Sequence, residues 1–195
     1  FSNIVFMGMG EPLDNFEGVS EALAVLLDGR GLAFAQERIT VCTSGHGDGI
    51  RRLRSLGYRR LNLSVSLNSG DDETRARLMP ITRRWSLAEL SEALAAYPQR
   101  RNFVQGVNYC LLPGINDSRK DAALVARFCA RGGRCLVNLI PYNPGRDPIA
   151  RAPTAEEEER FLGYLHDEGV YALPRAAKGG SIMAACGQLG GPAAR

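Results

Sequence analysis

Leu61-Asn62-Leu63-Ser64-Val65-Ser66-Leu67, running on through Asn68-Ser69-Gly70 into Asp71-Asp72-Glu73-Thr74, holds the change of period that decides the fold. Leu61, Leu63, Val65 and Leu67 alternate with Asn62, Ser64 and Ser66, the two-residue repeat of a strand. A helix then follows over residues 71–77. A second spans 86–96 and is opened by the capping pair Ser86 and Glu89. One strand has passed into helix within a few residues of polar turn.

The same exchange repeats in both directions. Upstream, residues 4–7 read as a strand ending in Gly8-Met9-Gly10, and 15–27 as a helix stopped by Gly29. Residues 38–42 form the next strand, closed by Thr43-Ser44-Gly45, with a helix near 48–56. Downstream, strand 103–112 ends at Pro113-Gly114, helix 117–131 leads to strand 135–140, and Pro141 ends that strand. Thr154 and Glu157 cap a helix to about 167, its acidic first turn matching the dipole, before a short strand at 170–173 and a glycine-rich tail. Six strands joined by five helical crossovers imply an α/β fold of parallel strands with right-handed connections. They are too few to close an eight-fold barrel, which leaves an open partial barrel or a doubly wound sheet. Either one binds ligands at the carboxyl ends of its strands. The turns after the strands, unusually polar for their positions, therefore gather on one rim.

With 195 residues, 45% of them apolar and 23% charged, the chain reads as one globular domain spanning 1–195. No apolar run has membrane-spanning length and no basic-then-apolar leader opens the chain, so the expectation is a cytoplasmic monomer with no membrane partner. The formal charge of +3 is too small to argue for nucleic acid by itself. All but two of the 24 basic residues are arginine, the exceptions being Lys120 and Lys178. The pairs Arg51-Arg52, Arg59-Arg60, Arg83-Arg84 and Arg100-Arg101 read as solvated surface, with a phosphate-facing rim as the alternative. Cys42, Cys110, Cys129, Cys135 and Cys186 make an odd set without CxxC spacing, which excludes a disulfide framework and a metal site built by this chain alone. Cys110, Cys129 and Cys135 fall in apolar patterns and read as small buried hydrophobes. Cys186, among glycines and alanines on a loop, reads either as a spare thiol or as a nucleophile. Two histidines, His46 and His166, leave little for imidazole chemistry.

Two motifs at opposite ends carry the most chemistry. Gly8-Met9-Gly10-Glu11-Pro12-Leu13 puts a carboxylate on a glycine turn after a strand, suited to a ligand ammonium or, equally, to a Glu-Pro helix start. Ala184-Ala185-Cys186-Gly187-Gln188-Leu189 carries the thiol. Taken in order with Thr43-Ser44-Gly45, Val65-Ser66-Leu67-Asn68, Leu112-Pro113-Gly114-Ile115-Asn116-Asp117 and Val137-Asn138-Leu139-Ile140-Pro141-Tyr142-Asn143-Pro144, these segments resemble the radical S-adenosylmethionine (SAM) superfamily. More narrowly they resemble its RlmN/Cfr-type 23S rRNA adenine-C2/C8 methyltransferases. The resemblance spans nearly the whole chain.

It implies a radical SAM core, an open partial (β/α) barrel here lacking its first strand and cluster loop. It implies SAM held by Gly10, Glu11, Cys42, Ser66, Leu67, Asn68 and Asn143. A buried strand cysteine is nearly as good a reading of Cys42, and a Tyr-Asn-Pro turn is the alternative for Asn143. It further implies a [4Fe–4S] cluster with ligands upstream of this chain and no metal ligand within it. The partners implied are an RNA substrate (23S rRNA, with tRNA as a second candidate) and an electron donor such as flavodoxin. Cys186 would take a methyl from one SAM. A radical from a second SAM would then activate that methyl for addition to an adenine ring carbon, with Lys178 and Arg175 placed to lower the thiol pKa.

The chain departs from the family pattern at three places. Cys42 and Asn68 stand where the family has serine and histidine, and Lys178-Gly179-Gly180-Ser181-Ile182 replaces a more acidic run. The chain opens on Phe1 without the cluster cysteines, so a fragment, inactive alone, is expected. The rivals are a divergent paralogue with another substrate, a cluster-less RNA-binding scaffold, and a phosphate-binding barrel lyase using Gly179-Gly180-Ser181 with Lys178 or Lys120. No strand carries an interior lysine, which weakens the lyase.

Overall fold

The computed structural model describes residues 2–8, 10–101, 104–145 and 147–175. Six strands appear in the expected order: β1 (Ile4–Phe6), β2 (Ile39–Thr43), β3 (Asn62–Ser66), β4 (Gln105–Leu111), β5 (Cys135–Pro141) and β6 (Ala172–Pro174). Between them lie α1 (Phe16–Leu27), α2 (Gly47–Ser55), α3 (Asp72–Leu78), α4 (Leu87–Ala96), α5 (Arg119–Gly132) and α6 (Ala155–Asp167). Three short 3-10 turns adjoin them at Pro12–Asn15, Gln36–Arg38 and Pro80–Arg83.

Every strand pair is parallel, and the sheet order is β1-β2-β3-β4-β5-β6. This order removes the doubly wound alternative, in which the strand sequence reverses at a switch point. Consecutive neighbours joined by right-handed crossovers put every helix on one face, which is the arrangement of a partial barrel. The packing agrees, since α2 lies against α4, α4 against α5 and α5 against α6.

The strand register explains which side chains feed the core. Val41, Leu63, Val65, Val107, Tyr109, Val137, Leu139 and Ala172 all share the helix-facing side and join one continuous cluster with Leu23, Ile50, Leu90, Val125 and Phe161 from the helices. Tyr109 stacks on Phe161, ring centroids 5.3 Å apart, fastening β4 to α6. Trp85 is buried, its ring centroid 4.2 Å from that of His46.

Helix ends follow their capping chemistry. Ser86 with Glu89 and Thr154 with Glu157 form complete capping boxes. Ser118 with Asp121 forms a third and starts α5 at Arg119 rather than at Asp117. Asp117 instead accepts from the Gly114 amide at 2.9 Å, which keeps it in the preceding turn. Cys110, Cys129 and Cys135 are half-buried rather than fully buried. The paired arginines at 51–52, 59–60 and 83–84 are exposed, as a solvated surface requires.

Candidate active site

The sheet face turned away from the helices is polar along its middle. By register, Cys42 lies beside Ser64, and Ser66 lies beside Asn108, which lies beside Asn138. Their side chains form a directed chain. Asn138 Nδ2 donates to Asn108 Oδ1 at 3.1 Å, and Asn108 Nδ2 donates to Ser64 Oγ at 3.1 Å. The Ser64 hydroxyl in turn hydrogen-bonds the Cys42 thiol. Burial pushes that thiol's pKa up; Ser64 and the Arg175 charge pull it back, and the Glu11 charge adds to the rise. Cys42 therefore stands as a neutral thiol within electrostatic reach of both Glu11 and Arg175. Arg175 belongs to the segment after β6, four strands away, where its amide donates to Leu139 O at 2.8 Å.

Glu11 is fixed at the carboxyl end of this face. One of its oxygens accepts from the Ser44 amide at 2.7 Å and the Ser44 hydroxyl at 2.6 Å, and the other from the Leu13 amide at 3.0 Å. Glu11 thus caps the Pro12–Asn15 turn, as the helix-start reading expects, and also crosses to the end of β2. A carboxylate has about four lone-pair sites, so one remains for a ligand N–H. Gly8, at φ +107, supplies the left-handed turn before Glu11, where a Cβ would sit 2.8 Å from the Gly10 carbonyl oxygen. Gly10 is exposed and has open space on its side-chain side.

Two buried polar residues stitch the rim. Arg75, fully buried, donates from Nε to Leu67 O at 2.9 Å, from Nη1 to Thr82 Oγ1 at 2.7 Å, and from Nη2 to Ser44 O at 2.6 Å and Ser66 O at 3.0 Å. Burial lowers its pKa to about 10, and Asp72 opposes that shift. It remains cationic at neutral pH. Asn116, also fully buried, donates to Asn68 O and Cys110 O, both at 2.8 Å, and accepts from the Leu112 amide at 2.7 Å.

The structure brings Glu11, Cys42, Ser66, Leu67 and Asn68 to the ends of the first three strands. Ser66 is partly exposed on the inner face, whereas the Leu67 side chain is sealed in the core and its N–H donates to Asn108 O at 2.8 Å. Asn68 sits at φ +57, with its side-chain oxygen accepting from the Cys110 amide at 2.9 Å. Asn143 lies just past β5 and donates to Pro141 O at 3.3 Å, the contact of a local turn. Cys186 and Lys178 lie outside the described residues.

Sequence reading missed Arg75, Asn108 and Asn138. The two asparagines carry a signal, because they occupy the alternate positions of their strands that Ser64 and Ser66 occupy in theirs. Arg75 carries none, since an arginine on a short charged helix reads as solvated.

A curled sheet of consecutive parallel strands, with a held carboxylate and a polar inner face at its carboxyl end, is the architecture of a radical SAM core. The chain belongs to the radical SAM superfamily, whose family model matches residues 1–125. It is 42% identical over 191 residues to the dual-specificity RNA methyltransferase RlmN of Syntrophotalea carbinolica, covering 97% of this chain and 50% of that protein. It is 43% identical over 190 residues to the RlmN of Rhodospirillum rubrum, covering 96% of this chain and 44% of that one. The crystal structure of a radical SAM methyltransferase from Sphaerobacter thermophilus superposes with a TM-score of 0.88 at 38% identity, over 96% of this chain and 55% of that one. The chain spans about half the length of the curated relatives it matches.

Proposed function

We propose that the protein to which this chain belongs is a radical SAM RNA methyltransferase that moves a methyl group through Cys186 to an adenine ring carbon, of the C2 type, in rRNA and in tRNA. In this reading residues 1–195 are a single partial core domain working in the cytoplasm, with a flavodoxin-like electron donor. The observation that carries the reading is the Glu11 carboxylate, held on Ser44 with one acceptor site left over, beside the polar inner face. That donor set fits the amino-acid end of SAM: the carboxylate meets the ammonium, while the partly exposed Ser66 and Asn108 offer a hydroxyl and an amide to a nucleoside.

Among the described residues no three His, Cys, Asp or Glu side chains are grouped to hold a metal ion. Membership of the radical SAM superfamily implies a [4Fe–4S] cluster, whose ligands in this reading are not among the described residues. When bound, the cluster would supply the electron for radical chemistry. Glu11, Ser66 and Asn108 would hold and orient the SAM, and the Cys186 thiolate would take its sulfonium methyl, an S–C bond forming as the SAM C–S bond breaks. The test is Cys186→Ala in the full-length protein, assayed with RNA and labelled SAM. Methyl transfer is expected to vanish while SAM affinity stays within about twofold, because the thiol acts on the methyl rather than in the cofactor's anchorage. Undiminished transfer would sink the reading.

A further inference from the structure

We propose that Arg75 is a positioning residue that aims Glu11 at its ligand through Ser44, an inference that rests on the cofactor reading above. The β2–β3 ladder ends at the pair Thr43 and Val65, so Ser44 and Ser66 are the next neighbours across the two strands. There Arg75 Nη2 takes the place of a rung, donating to the carbonyls of Ser44 and Ser66 together. The same Ser44 offers its amide and hydroxyl to Glu11. Arg75, Ser44 and Glu11 are thus three links of one hydrogen-bonded line running from the helix layer to the rim. Room for it comes from Gly45, at φ +114, where a Cβ would stand 2.8 Å from Arg75 Nη2.

The cost of this arrangement points to its purpose. All four hydrogen bonds of the buried guanidinium go to neutral oxygens. An apolar side chain of similar volume would fill the site without desolvating a charge. What the apolar side chain could not do is hold two strand ends and fix a serine whose free groups orient a carboxylate. Charge-assisted donors in a fork make that geometry stiff.

The experiment is calorimetric titration of the full-length protein with SAM and with 5′-methylthioadenosine, a thioether nucleoside lacking the amino-acid arm. Arg75→Lys is expected to weaken SAM by about tenfold while leaving 5′-methylthioadenosine within about twofold, since only the first ligand uses Glu11. Equal losses for both ligands, or no loss for either, would overturn the proposal. Should Arg75→Lys not fold, Thr82→Val removes the Nη1 partner, along with the Thr82 hydroxyl's local bond to Met79 O, away from the rim. The same selective loss is then expected at about threefold, and an unselective or absent loss overturns the proposal. Glu11→Gln separates the two ideas. Unchanged SAM affinity in that variant would end the cofactor reading itself, whereas a loss there with none in Arg75→Lys ends only the role of Arg75.

Discussion

Asn68 shows how much one backbone angle can decide. A non-glycine residue at φ +57 is costly unless its side chain is short and polar, and asparagine is among the few that occupy this region routinely. Its side-chain oxygen then holds the Cys110 amide, and its own carbonyl is held by Asn116, so the ends of β3 and β4 are joined across the rim. Asn68→Ala should lower unfolding free energy by about 2 kcal/mol, roughly half from the left-handed backbone and half from the orphaned amide. Asn68→Gly relieves the first part and should cost only about 1 kcal/mol. Urea titration of both variants checks this, and equal costs would mean the angle carries no strain. The asparagine is working for the fold before any ligand arrives.

At the scale of single elements, α6 is held at its start by charge as well as by its cap. Thr154 accepts from the Glu157 amide, and the Glu157 carboxylate accepts from the Thr154 amide and from Nη1 and Nη2 of Arg151. Those bonds, chiefly from Arg151, hold the Glu157 pKa down to about 2. A carboxyl depressed in the folded state stabilises above its unfolded pKa of about 4.3, and the contribution is lost as pH falls toward 2. Arg151→Ala should therefore flatten the decline in thermal stability between about pH 5 and pH 2, measured by calorimetry across that window. An unchanged slope would show that the pair does nothing in solution. Thr154→Ala should cost about 1 kcal/mol at neutral pH, the usual value of a lost N-cap, in the same measurement.

For the molecule as a whole, the helices cover one face of the sheet and leave the other to whatever binds there. Val41, Leu63, Val65, Val107 and Leu139 lie at the centre of the one core, while β1 is a three-residue edge strand with Val5 and Met7 exposed. Stability should grade accordingly. Hydrogen exchange followed by mass spectrometry is expected to find the β2–β5 amides slowest and those of β1 fastest among the strands. Uniform protection across all six would contradict a core centred on β3 and β4. The inner face keeps a different logic, with Asn138, Asn108, Ser64 and Cys42 satisfying one another in a line. A polar line of this kind is tolerable because each group in it has a partner.

The order of elements, the parity of β3 and the location of the polar rim were all written in the sequence, because periodicity and capping are properties of residues a few positions apart. Glycine and capping signals even placed most boundaries to within a residue or two. The choice of a partial barrel over a doubly wound sheet was not legible in periodicity, since it depends on which strands pair; the family resemblance implied the barrel, and the sheet order bears it out. Nor was the bond between Glu11 and Ser44, or the burial of Arg75 beneath Ser44 and Ser66. Those contacts join residues brought together only when the chain has folded. No local pattern distinguishes a guanidinium that will be sealed under a rim from one that will face water.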